Sequence, residues 1–447
     1  MTILCRYLRL ALPLSFQFLM WALVPACDAF MLGRVSQNAM AAVSLALQVP
    51  FFMYMLLAAF AVGMSVLGAQ YYGRKDVSAV GKVFALGLVF LVVISWAFAL
   101  TALFVPARLM TIFTDETELI HLGTTYLRIA GFAYLIVGVS HSFHTILKAT
   151  GHARFSVAIS VGAAVLNVAL NALFIFGMGP IRPMGVEGAA LATLMTIAVE
   201  AAVIIASSLV GRFVEVEWRT LFRWNPVLVK DYLKCSLPIL GAYSVWGVGL
   251  SSYTAILGHL GCDAAAANAV VMVVRDLLCC LCEGGASAAA IIVGHELGRG
   301  NLVRGRVFGA WIVRISMVLG IGCVVLTLAT LPIILHSVIL TETAKTHLVG
   351  MMLVLSVYLF GRYVNTIVIA GIFTAGGDTM FDFYSLVATM WGLAVPLALL
   401  GAFVFHWPVA LVFACTCVDE VGKLPWTWAH YRRYLWVKDL TRSLSAV

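Results

Sequence analysis

The sequence predicts an all-α polytopic membrane protein, with twelve transmembrane helices in two pseudo-symmetric six-helix bundles. Three observations lead there. Hydrophobic residues fill 63% of the 447 positions and charged residues only 11%, outside the usual range of a soluble globular domain. Apolar stretches of about 20 residues, enough to cross a ~30 Å hydrocarbon core as a helix, recur along the whole chain. The chain also matches itself when shifted by 225 positions: Leu12-Pro13 falls on Leu237-Pro238, Leu32-Gly33 on Leu257-Gly258, and Gly73-Arg74-Lys75-Asp76 on Gly298-Arg299-Gly300-Asn301. Further along, Gly151 falls on Gly376 in the same register.

The first span is expected near 10–33. Its basic flank, Arg6 and Arg9, resembles that of a secretion signal, but the stretch is too long for one and its copy lies in mid-chain. Asp28 lies within it. An intramembrane carboxylate costs about 2.5–3.5 kcal/mol on insertion scales and so points to function. Pro25, one turn earlier, removes a backbone donor and lets the helix bend beside the acid. The second span, near 43–70, opens on Phe51, Phe52, Met53, Tyr54 and Met55, most of them expected to pack against lipid or neighbours and a minority, lining a cavity, to hold flat lipophilic cations. Spans three and four are expected near 83–105 and 122–147, the latter carrying His141 and His144. On the fifth, near 155–177, Asn167 and Asn171 share a face, either to serve an ion-bearing carboxylate or to join helices. On the sixth, near 186–210, Thr193, Thr196 and Glu200 form one polar stripe, and Glu200 either joins Asp28 in binding an ion or substrate or acts as a structural partner.

Residues 211–234 make the one long polar stretch and are expected to be a cytoplasmic linker between an N-lobe, 1–210, and a C-lobe, 235–430, with 431–447 a cytoplasmic tail. The seventh span, near 233–258, offers Tyr243, Trp246 and Tyr253 to a cleft between the lobes. On the eighth, near 266–294, Met272 occupies a region comparable to the aromatic and sulfur-rich start of span two, and Asp276 and Glu283 lie on nearly one face. These two acids either attract cations or are neutralised by Arg275, Arg314 or Arg362. The neutral pairing is favoured for Asp276 and function for Glu283. The remaining spans are expected near 307–335, 347–373, 383–405 and 408–430, with Asn365 a polar residue at membrane depth on the tenth.

Basic residues gather in the loops on the side of the termini, whereas the opposite side has Arg34, Arg108, Arg182 and Lys345. That bias puts both termini in the cytoplasm and requires an even number of spans. Net charge of +8 thus reports orientation and not nucleic-acid binding. The cysteines show no metal-ligand spacing, and no GxxxxGK[ST] loop is present to draw on ATP, so an ion gradient is the expected source of energy. Two six-helix repeats entering the membrane in the same direction suit a secondary transporter whose lobes rock about a central site.

The chain resembles the multidrug and toxic compound extrusion (MATE) family, in particular its bacterial DinF-related branch. The likeness rests on Leu12-Pro13 with Gln17, Asp28 to Gly33, Ala69 to Asp76, Asn167 to Gly177, Gly185 to Thr193, Leu237-Pro238 with Trp246, Gly294 to Asn301, Ala375 to Thr379, and Glu420 with Lys423. It implies a bacterial inner-membrane antiporter that exports amphipathic, often cationic, small molecules in exchange for H+ or Na+. It also implies an ion-coupling or proton-accepting aspartate at Asp28, with Na+, where that is the ion, held at Asp28 and Asn171. Some relatives carry an aspartate where this chain has Asn171, and several carry a carboxylate on the seventh helix where this chain has none. No cofactor beyond the coupling ion is expected, and the protein is expected to work as a monomer in the bilayer. The rival readings are a related flippase or exporter of lipid-linked oligosaccharide, which should favour arginine and lysine in its cleft, and an integral-membrane enzyme, for which His141 and His144 lack an obvious third ligand.

Overall fold

The computed structural model describes residues 3–177, 182–211, 225–338 and 340–442. Among them, twelve long helical segments run in chain order: α1 (Ile3–Gly33), α2 (Gln37–Gly73), α3 (Val77–Phe104), α4 (Thr117–Ala149), α5 (Ala153–Phe176), α6 (Gly185–Val210), α7 (Pro226–His259), α8 (Cys262–Gly298), α9 (Leu302–Ser337), α10 (Glu342–Phe373), α11 (Met380–Val404) and α12 (Val409–Arg432). All-helical architecture is what a bilayer demands, since each backbone N–H and C=O must find its partner inside its own segment.

Eleven of the twelve are long and apolar enough to span a membrane by composition alone. The exception, α12, carries Asp419, Glu420 and Lys423 across its middle, and these side chains are buried within the bundle. Most helices extend beyond the expected apolar stretches, because polar residues cap and prolong them at the ends. Ser36 accepts from Ala39 N–H at 2.9 Å, Asp76 from Ala79 N–H at 3.0 Å and Thr341 from Ala344 N–H at 3.1 Å. At the start of α1 the extra turns include Arg6, whose guanidinium reaches Glu296 on α8 at 3.1 Å.

The chain divides into two compact units. One contains Leu19–Ser236 and the residues from Thr441; the other contains the chain up to Phe18 and Leu237–Leu440. The first half of α1 therefore packs with α8–α12, and the first turns of α7 pack with α2–α6. Both crossovers lie within two turns of the paired prolines Pro13 and Pro238. Most of the polar stretch expected as a linker, 212–224, lies outside the described residues; its remainder from Pro226 is helical.

Within each unit one helix is the hub. In the first, α4 packs against α2, α3, α5 and α6; in the second, α10 packs against α8, α9, α11 and α12. Thr117 and Glu342, the first residues of these hubs, are 225 positions apart, as the internal repeat requires. By their ends the register has slipped by one. The left-handed glycine closing α4 is Gly151 (φ 86°), and its structural counterpart after α10 is Gly377 (φ 73°), not Gly376. The cause is a π-helical stretch, Thr366–Phe373, whose wider turns absorb one extra residue.

After α12 the chain stays attached. Trp436 is fully buried, stacked on Tyr431 with ring centroids 5.7 Å apart, and its backbone and ring press on Gly376 and Gly309. A β-carbon at position 376 would collide with the Trp436 backbone carbonyl, an atom that cannot swing aside. Gly376→Ala is therefore expected to release the segment after Arg432. Faster limited proteolysis between Arg433 and Lys438 than in wild type would be the readout, and an unchanged rate would count against this docking.

Candidate functional site

In the unit built on α4, Asp28 of α1 is only 7% exposed, so its carboxylate faces protein and not lipid. The α5 amide of Asn171 donates to Asp28 Oδ1 at 2.6 Å and to Asn167 Oδ1 at 2.9 Å. Spacing of four on α5 places both asparagines on the face toward α1, which makes this three-residue cluster possible. The α1 helix runs without interruption through Pro25, which is exposed. Tyr126 of α4 lies in electrostatic range of Asp28 and hydrogen-bonds Thr193 of α6, whose hydroxyl also donates to Ala189 O at 3.0 Å.

Glu200 sits elsewhere on α6. Seven residues separate it from Thr193, about 10 Å along a helix. Its Oε1 accepts from Ser160 of α5 at 3.0 Å and lies 3.0 Å from His144 Nε2 of α4. The other ring nitrogen of His144 is 2.8 Å from Ser156 Oγ. Between the two clusters, Thr196 completes the stripe with its hydroxyl buried. The expected stripe thus links two polar centres and does not converge on one.

The other unit gathers more charge. Arg362 of α10 reaches Glu420 of α12 at 2.9 Å and Glu283 of α8 at 3.2 Å, and Lys423 stands 3.7 Å from the same Glu420 oxygen. Asn365 donates to Glu420 Oε2 at 2.8 Å and accepts from Thr427 at 3.1 Å. Glu283 is therefore charge-paired, as is Asp276, whose Oδ1 takes Arg275 at 2.8 Å. Tyr243 of α7 and Asp382 of α11 lie in electrostatic range of this cluster. A small cavity beside it is lined by Trp246, Tyr253, Met272, Arg275, Tyr358 and Asp419, among others. Of the aromatic opening expected on α2, Phe51, Phe52 and Tyr54 are exposed and Met53 is buried.

Asp382, Asp419 and the pairing of His144 with Glu200 escaped the sequence reading. Three charges within five residues, Asp419-Glu420-Lys423, on an otherwise apolar span were the available signal for one of them. Among the described residues, no three His, Cys, Asp or Glu side chains converge as a metal site.

The MatE family model matches the chain twice, over residues 13–173 and 238–400. The chain belongs to the MatE family. The two matches begin at Pro13 and Pro238, the prolines that fixed the internal repeat. It is thus a multi-pass membrane transporter of the MATE type. Among curated relatives, it is 21% identical over 438 residues to an uncharacterized transporter, YisQ, of Bacillus subtilis, covering 95% of this chain and 93% of that one. It is 23% identical to a probable multidrug resistance protein, NorM, of Agrobacterium fabrum, over 88% and 83% of the two chains. Its fold matches the outward-facing conformation of a multidrug resistance MATE family transporter of the MOP superfamily, with a TM-score of 0.86, 19% identity and 96% of each chain covered. A MOP superfamily transporter from Pyrococcus furiosus, described by a binding pocket of reverse polarity suggesting a different function, matches equally well, with a TM-score of 0.86 and 19% identity over 96% and 95% of the chains.

Proposed function

We propose that this MATE transporter is a proton-coupled antiporter that exports amphipathic organic cations, sits in the inner membrane with both termini in the cytoplasm, and works as a monomer. The observation that carries the reading is Asp28, a buried carboxylate that accepts a hydrogen bond from the Asn171 amide at 2.6 Å. A carboxyl group in that setting binds and releases a proton with no further ligand. Sodium, a hard cation, asks for several oxygens, and here Asn171 turns its N–H, not its carbonyl, toward the acid. Proton uptake at Asp28 changes the charge beside α1, favours one packing of that helix, and drives out a competing cation. Asn171, Asn167 and Thr193 position the acid; Tyr243 and Trp246 offer ring faces to the cation.

The charge of the second unit supports a cationic cargo. Asp276, Glu283, Asp382, Asp419 and Glu420 outnumber Arg275, Arg362 and Lys423, whereas an exporter of lipid-linked anions should show the opposite balance. That balance matters because fold alone does not set function.

The test is ethidium efflux from proteoliposomes with pH and sodium gradients imposed separately. A pH gradient is expected to drive efflux at equal sodium, and a sodium gradient at equal pH is not. Efflux driven by sodium alone would overturn the proton assignment. Failure of both gradients with every cation tried would favour the flippase reading.

A further inference from the structure

We propose that His144 and Glu200 form a second proton-binding pair in the α4-centred unit, one that exchanges protons with Asp28 along the polar stripe of α6. The inference rests on the proton-coupled reading above. It starts from a geometry that helix packing alone does not require. His144 is 5% exposed, with Ser156 at 2.8 Å on one ring nitrogen and Glu200 at 3.0 Å on the other. Ser160 donates to the same Glu200 oxygen at 3.0 Å. Three helices therefore converge on a single histidine–carboxylate contact.

With a neutral imidazole the pair carries one negative charge. One added proton converts it to an imidazolium facing a carboxylate, with no net charge. In a poorly hydrated interior that protonated state avoids leaving a lone carboxylate without a counter-charge. No covalent change is involved: the proton leaves the Asp28 carboxyl, and the pair receives it.

Hydroxyl-bearing residues lie between the two stations. Tyr126 lies in electrostatic range of Asp28 and bonds Thr193, Tyr54 of α2 lies in range of both Tyr126 and Glu200, and Thr196 lies on α6 between Thr193 and Glu200. The separation, about 10 Å along α6, is too long for one transfer and suits a chain of hydroxyls or water. Other groups near the pair are His141 and Lys148 on α4; Lys148 also lies over the Trp21 ring at 5.6 Å. Elsewhere on the packed helices the charged residues are Lys82 on α3, Glu118 and Arg128 in the first half of α4, Arg154 at the start of α5 and Glu187 at the start of α6.

The experiment measures protons released when ethidium binds to the purified full-length transporter in weakly buffered detergent solution, followed with a pH-sensitive dye between about pH 5 and pH 8. Wild type is expected to release protons from both stations. Asp28→Asn, Glu200→Gln and His144→Gln are each expected to release about twofold fewer, as loss of one of two stations requires. Glu200→Asp should restore the count. Glu200→Gln and His144→Gln should also displace the midpoint of the pH profile of release, which a purely structural contact would not do. If both variants keep the wild-type count and midpoint, the second station is refuted while proton coupling at Asp28 stands. If the wild type itself releases none, the proton-coupled reading fails first. Should Glu200→Gln not fold, His144→Gln and Ser160→Ala carry the test, the latter through the midpoint alone.

Discussion

Asp28→Asn is expected to reduce pH-driven ethidium efflux in proteoliposomes to the level of protein-free vesicles, with the protein still inserted at wild-type abundance. The substitution is nearly isosteric, and the Asn171 N–H that reaches Asp28 Oδ1 at 2.6 Å can donate to an amide oxygen as well. Packing around α1 should therefore persist, and removing a buried charge even relieves a desolvation cost of the order of 2.5–3.5 kcal/mol. What is lost is the ability to change charge. An amide neither takes up nor releases a proton at any accessible pH, so the charge change beside α1 that converts the gradient into a change of helix packing is gone. Efflux at the wild-type rate in this variant would refute the assignment of Asp28.

Arg362→Met is expected to be the most damaging single change to stability. Arg362 holds Glu420 at 2.9 Å and Glu283 at 3.2 Å, with its own side chain only 21% exposed and that of Glu420 3%. Removing one partner of a buried ion pair typically costs 3–5 kcal/mol, roughly, because the charge left behind is uncompensated. Lys423, 3.7 Å from Glu420, and Asn365, at 2.8 Å, remain, so the loss should fall toward the lower end of that range. A fall in the thermal unfolding midpoint in detergent is the readout. Arg362→Met combined with Glu283→Gln should recover part of it, since the double change removes one of the orphaned charges. An Arg362→Met midpoint equal to wild type would mean that the cluster is not held together by this arginine.

Most of the fold was legible in the sequence because a bilayer leaves few choices. Each crossing must be a helix of sufficient apolar length, and the repeat supplied the grouping. Helix ends were read short, since the turns beyond the hydrocarbon are polar and held by caps such as Asp76 and Thr341. The single-residue slip between Gly376 and Gly377 was invisible because a π stretch has no compositional mark: Thr366–Phe373 is as apolar as its surroundings. Within the site, the shared face of Asn167 and Asn171 followed from their spacing, but their contact with Asp28, 143 residues from Asn171, did not. Helical phase says which way a side chain points and not what it meets. Hence Glu200, whose stripe was plain, could be placed either with Asp28 or with a structural partner, and its contact with His144 emerged only from the packing of α4 against α6.

The buried Trp436 has a practical corollary for anyone labelling or shortening this transporter. An indole seated against Gly309 and Gly376 makes the last described residues part of the folded body. Reporter proteins grafted at Arg432 should compromise folding, whereas those joined beyond Arg442 should be tolerated. A nested series of stop codons ought to show a sharp drop in yield once the indole is removed.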